Sequence, residues 1–286
     1  MPIGHIALAI MVAAIYGTAF VAIQFAIDEI PPIMATGYRY LLTAFPFIFF
    51  VRRPNVSWLL LASYGVVQAV IMFATIFSAI KLGMPPGIAS MVVQLQVFFT
   101  IGISFFVFSE IPTKRQGVGA LLALIGVAVI GVGLNESVPI LPFLMTIASA
   151  LAWGVANTIS KKANSNSMLG FVVWSALFAP VPLFALSMLI EGTQFGIPPV
   201  MPSAIAIWSI LYLAYPTTVL AFTAWVFLLQ RHNAAAVTPF ALLIPIFGMG
   251  STAIVFGEQL SLTTLFGSAI VFLGLSVAVI QSKLHT

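Results

Sequence analysis

Few side chains in this 286-residue sequence are equipped for covalent chemistry. There is no Cys, which excludes a thiolate nucleophile, a cysteine metal site and a disulfide. His5, His232 and His285 stand at the ends of apolar runs and have no metal-ligand spacing. The six acids, Asp28, Glu29, Glu110, Glu136, Glu191 and Glu258, are also terminal, so no carboxylate pair sits within an apolar run to share acid–base work. His-Glu-x-x-His, Gly-x-Ser-x-Gly and Walker sequences are missing. The expectation is no catalytic residue, no metal, no cofactor and no enzyme. What remains is equipment for reversible recognition: amides, hydroxyls, aromatic rings and one guanidinium, Arg39, inside an apolar run.

The elements that position these groups follow from composition. Hydrophobic residues make up 62% of the chain and charged residues 6%, with a mean hydropathy of +1.18. A soluble domain carries about 25% charged residues, so the solvent around this chain is expected to be a lipid bilayer. The net charge of +4 is spread over scattered cations that form no basic stripe, so no nucleic-acid partner is expected. Uncharged runs of about 20 residues suit membrane helices. We read ten of them: 4–27, 31–51, 56–80, 85–108, 113–133, 139–161, 168–190, 203–229, 234–256 and 262–281. The first is read as a retained helix rather than a cleaved signal. With both termini cytoplasmic, the inner connections hold Arg52, Arg53, Lys114, Arg115, Lys161, Lys162, Arg231 and Lys283, whereas the outer ones hold only Lys81. Five of the acids fall outside and Glu110 inside.

The sequence also repeats. Glu110, Gly119 and Gly126 recur as Glu258, Gly267 and Gly274 at a constant offset of 148 (258 − 110, 267 − 119, 274 − 126). Thr113 and Ser261 share that offset and predict hydroxyl N-caps for the fifth and tenth helices, which then carry small residues on one face. Tyr16-Gly17 in the first span is echoed by Trp153-Gly154 in the sixth. Five helices per unit is an odd number, so the second copy is inverted, the construction that permits alternating access around a midplane site. The expected units are 4–133 and 139–281.

On these residues the chain resembles the drug/metabolite transporter superfamily, EamA type, and within it the YddG-like exporters of aromatic and other neutral amino acids. Arg39 and the Asn-Ala-Ala-Ala-x-x-Pro-(x)5-Pro run at 233–245 carry the resemblance further. Val97 stands where symmetry with Pro245 would put a proline, and the seventh helix has no counterpart of Arg39, so the two halves have diverged. The resemblance implies an all-α membrane fold of ten helices in two inverted repeats around a central cavity. It implies a secondary transporter in the inner membrane of a bacterium, with an amino acid as the small-molecule substrate. Export of drugs, purines or nucleotide-sugars is the alternative within the superfamily; a channel or a membrane-embedded enzyme is the alternative outside it. Oligomeric state, a monomer included, stays open.

Candidate substrate-binding residues are Tyr16, Arg39, Gln68, Gln94, Trp153, Asn157, Tyr212, Tyr215 and Trp225, with Thr18, Gln96, Thr217, Thr218 and Thr238 also near mid-span. The amides and hydroxyls have a second reading as glue between helices. Gln94 and Gln96 are two residues apart, about 200° round a helix, so only one is expected to face inward. Arg39 has three readings: partner of a substrate carboxylate, outward snorkelling, or a bond to neighbouring carbonyls. No acid lies at mid-membrane, which argues against carboxylate-based ion coupling. Pro85, Pro86, Pro216, Pro239 and Pro245 are candidate hinges, and Glu110 and Glu258 are read as structural caps.

Overall fold

The computed structural model describes residues 1–133, 139–232 and 237–279. Glu136, Lys283 and the Asn-Ala-Ala-Ala part of the 233–245 run lie outside the described residues. Among those described, the regular elements are all helical, apart from an isolated bridge between Gln194 and Ile197. Seven helices are long and apolar enough to cross a membrane. These are α1 (Ile3–Glu29), α3 (Trp58–Lys81), α4 (Pro86–Phe108), α5 (Lys114–Gly133), α6 (Ile140–Ala163), α7 (Met168–Ile190) and α8 (204–231, apolar over Ala204–Trp225). Two more are apolar but shorter, α9 (Leu243–Phe256) and α10 (Leu262–Val279). The shortest is α2 (Pro32–Ala44).

The expected second span was longer than α2. Phe45 takes an extended conformation, as a residue preceding proline tends to, and the helix stops there before a single turn at Phe47–Phe49. Other irregularities fall inside helices that continue. Eight-residue π-helical segments occupy Val66–Phe73 of α3 and Leu213–Leu220 of α8, the latter containing Pro216. Each π segment lends a backbone carbonyl to a hydroxyl, Met72 to Ser149 at 3.0 Å and Leu213 to Thr218 at 2.8 Å. Short 3-10 turns interrupt α4 at Val93–Leu95 and lead into α9 at Thr238–Leu242.

The helices pack in matched pairs. α1 lies against α8 and α9, α6 against α3 and α4, α2 against α7, and α5 against α10. The α5–α10 seam is made by the four glycines of the repeat, and their contacts are reciprocal. A Cβ on Gly119 would come within 2.5 Å of the Gly274 carbonyl oxygen, and one on Gly274 within 2.6 Å of the Gly119 oxygen. Gly126 and Gly267 face each other in the same way, at 2.7 and 2.8 Å. No side chain fits there, and the backbones meet as in small-residue membrane interfaces.

Both predicted N-caps form. Thr113 Oγ1 accepts from Gln116 N while the Gln116 side chain accepts from Thr113 N, closing a capping box at α5. Ser261 Oγ accepts from Thr264 N at α10.

Candidate functional site

Two adjoining hollows lie between the helices. The inner one, about 50 Å³, is enclosed by α1, α2, α3, α4, α6, α8 and α9. The other, about 270 Å³, is more open and reaches Ser160, Met168 and Trp225 near the basic ends of α6, α7 and α8. Tyr16, Gln94, Trp153, Phe222 and Ile244 line both and form the neck between them.

The paired aromatic-glycine dipeptides explain how two of these rings are aimed. Gly17 lets α9 approach α1 so closely that an added Cβ would sit 2.5 Å from Phe247 Cβ, and Gly154 does the same for α4 against α6, 2.8 Å from Phe99 Cβ. With the glycine against a neighbouring helix, the preceding residue, Tyr16 or Trp153, is turned about 100° away, into the hollow. Tyr16 also meets Phe222 edge-on at 5.8 Å.

Arg39 is 1% exposed and lines the inner hollow. Its Nε and Nη2 donate to Thr218 Oγ1 at 3.2 and 3.0 Å, and the guanidinium carbon lies 3.9 Å from the centre of the Phe73 ring. This is a cation–π contact; buried as it is, Arg39 does not snorkel outward, and among the described residues it bonds no neighbouring carbonyl. Among the described residues no carboxylate pairs with it.

Gln94 and Gln96 both line the open hollow, against the expectation that only one would. The 3-10 turn at Val93–Leu95 advances about 120° per residue instead of 100°, which brings the two amides nearer to one face. Gln96 Oε1 accepts from Asn157 Nδ2 at 2.8 Å, and Asn157 also donates to Thr100 Oγ1 at 3.0 Å. Gln94 Nε2 donates to the Ala241 carbonyl at 3.4 Å.

Not every candidate joins this group. Tyr212 accepts or donates a 2.6 Å bond with Thr18 in a groove between α1 and α8, and Tyr215 stacks edge-on with Phe47 in another. Gln68 is buried in the α3 π segment and lines neither hollow. Pro85 and Pro86 open α4, and Pro245 sits in the first turn of α9, where a missing N–H costs nothing. Pro239 is in the turn leading to α9; Pro216 alone stands within a continuing helix. Conversely, Phe73, Met72, Phe222 and Ile244 line the inner hollow unforeseen, because apolar residues in so apolar a chain carry no signal.

The end of the bundle with Glu29, Glu191 and Glu258 is fastened by carboxylates on backbone donors. Glu191 accepts from Ile33 N and Met34 N at 2.7 and 3.2 Å, at the start of α2. Glu258 accepts from Gly87 N at 3.2 Å, at the start of α4, and from Thr252 Oγ1 at 2.9 Å. Glu29 accepts from Ser203 N and Oγ, before α8. Lys81 donates to the Ile27 carbonyl at 2.6 Å. Burial pushes the Glu258 carboxyl above its usual range, with the bonds from Thr252 and Gly87 pulling the other way. Glu258 therefore caps the start of α4 rather than a helix next to it in the sequence. Glu110 pairs with Lys161 instead, on the surface of the opposite end.

The profile of the EamA-like transporter family matches residues 4–132 and again 140–280. The chain belongs to that family. It is 39% identical over 279 residues to a protein named probable amino-acid metabolite efflux pump from Salmonella typhimurium, covering 95% of this chain and 93% of that one. A protein of the same name from Escherichia coli K12 is 37% identical with the same coverage. An inner membrane transporter of Escherichia coli K12, YedA, is 25% identical over 95% of this chain and 87% of its own. One solved crystal structure superposes on this EamA-like chain with a TM-score of 0.64 at 19% identity, covering 96% of each. The chain is thus a multi-pass membrane transporter of the drug/metabolite superfamily, and the two hollows lie at the heart of its helix bundle.

Proposed function

We propose that this EamA-like protein exports small neutral or zwitterionic metabolites, aromatic and other neutral amino acids first among them, by alternating access. The observation that carries the reading is the pair of connected hollows walled by Tyr16, Trp153, Phe222 and Trp225, with amides and one guanidinium and, among the described residues, no carboxylate. Flat aromatic faces favour apolar or ring-bearing solutes, each contact adding roughly 0.5–1.5 kcal/mol beyond burial. A wall without an acid is a poor site for an organic cation. The names of the Salmonella and Escherichia coli relatives support an amino-acid metabolite as cargo.

In this reading the chain is ten membrane helices in two inverted five-helix units, 4–133 and 139–281. The matched helix pairs and the π segments at positions 66–73 and 213–220 support it, since both echo across the two family matches. The end rich in Lys and Arg faces the cytoplasm of a bacterium, and the open hollow, which reaches towards that end, faces inward. Purified protein in liposomes loaded with unlabelled amino acids is expected to exchange them for labelled Phe, Trp, Met or Thr. Exchange of a nucleotide-sugar or a cationic drug, with none of any neutral amino acid, would overturn the substrate assignment.

A further inference from the structure

Among the described residues, two buried side-chain oxygens without a hydrogen-bond partner, Gln94 Oε1 and Thr217 Oγ1, belong to the wall of the same enclosed hollow. Their residues are 2% and 3% exposed. A buried polar atom left unmade costs about 1–3 kcal/mol, and two on one wall call for a ligand that supplies their partners. The Gln94 amide is oriented by its Nε2, which donates to the Ala241 carbonyl at 3.4 Å; a flip would lose that bond and set two oxygens towards each other. Its Oε1 is therefore an acceptor awaiting a donor. Arg39, on the same wall, has five N–H donors and hydrogen-bonds only Thr218 among the described residues. It awaits an acceptor, best an anion. Acceptor and donor needs of this kind on the wall of one hollow of about 50 Å³ suit a group a few atoms across that is negative on one side and positive on the other.

We propose that the enclosed hollow is a head-group subsite for an α-amino acid zwitterion. Arg39 and Thr217 take the carboxylate, Gln94 Oε1 takes the ammonium, and the side chain of the solute extends through the neck into the wider hollow beside Trp225. The proposal rests on the amino-acid reading above and adds to it which atoms choose the zwitterion. A solute lacking either charge leaves part of the wall unpaired, the situation in which polar sites discriminate most strongly.

The test is competition against exchange of labelled L-phenylalanine in proteoliposomes, using L-phenylalanine, 2-phenylethylamine, which lacks the carboxylate, and 3-phenylpropanoate, which lacks the ammonium. In the wild type both analogues are expected to compete at least about tenfold more weakly than the amino acid. Arg39→Gln should abolish the preference over the amine, and Gln94→Met, close in volume, should abolish the preference over the acid while keeping that over the amine. Thr217→Val, which keeps the shape, should weaken the preference over the amine even if Arg39→Gln does not fold. Wild-type exchange with analogues competing as well as phenylalanine, or variants that keep the wild-type preferences, would overturn the subsite and leave the transport reading standing. Absence of any amino-acid exchange by the wild type would instead remove the reading on which the subsite rests.

Discussion

The two ends of the bundle are held by different chemistry. At one, the carboxylates of Glu29, Glu191 and Glu258 each accept from backbone N–H groups at or next to a helix start on the far side of the 133–139 connection. At the other, the carboxylate of Glu110 meets Lys161 in an ion pair whose side chains are 52% and 47% exposed, and His5 and His232 share a 2.6 Å bond. A carboxylate on helix N-terminal donors gains from both the orphan N–H groups and the helix dipole. A solvated ion pair gains little. The acidic end is fastened and the basic end is loosely tied, and the larger hollow reaches towards the basic end. Three of the acids, Glu29, Glu191 and Glu258, thus serve as clasps between helices.

The comparison breaks most visibly if the clasps are removed. The chain has no native cysteine, so a single one introduced by Ile23→Cys, on the wall of the enclosed hollow, reports access cleanly. Combining it with Glu191→Ala and Glu258→Ala, each worth about 1 kcal/mol as a lost cap, is expected to raise its rate of reaction with a small methanethiosulfonate at least about tenfold. An unchanged rate would mean that the acidic end is closed by packing alone.

A smaller effect comes from pH. The Glu258 carboxyl lies above its ordinary value of 4.5 because burial penalises its charge. The folded state then holds the proton more tightly than the unfolded one, so this contribution to stability is complete below 4.5 and is lost as pH rises through the elevated value. Glu258→Gln still offers an oxygen to Gly87 N but cannot ionise. The melting temperature of the wild type relative to this variant should fall as pH is raised from 4.5 to 7, and a constant difference would show that the clasp does not titrate. The least effect is expected at the basic end. Lys161→Met should move the melting temperature by no more than about 2 °C, since an exposed pair contributes under about 1 kcal/mol. A larger loss would erase the contrast between the ends.

Much of this arrangement was legible in the sequence. Charge scarcity gave the solvent, the alternation of Lys and Arg gave two distinct ends, and Thr113 and Ser261 marked two helix starts that the structure confirms. Tyr16 and Trp153 were readable as candidate rings from their depth within the spans, and both line the hollows; that the following glycine aims each ring was visible only in the packing. What stayed hidden has a common cause. A wheel drawn at 100° per residue fails across a π or 3-10 segment, and Gln68, Gln94, Tyr212, Tyr215 and Thr217 all lie within or beside one. The partners of Glu191 and Glu258 were hidden for another reason: they are backbone N–H groups more than 150 residues away in the chain, which no side-chain pattern announces.

The glycine seam between α5 and α10 carries a consequence of its own. Gly119 meets Gly274 and Gly126 meets Gly267, while Gly267 and Gly274 are the repeat counterparts of Gly119 and Gly126. Position i touches the counterpart of j, and j touches the counterpart of i, which is the signature of a self-complementary two-fold contact between identical subunits. The seam keeps a two-fold match in the sequence, whereas Arg39 and Pro245 correspond to Ser187 and Val97 at the same offset of 148.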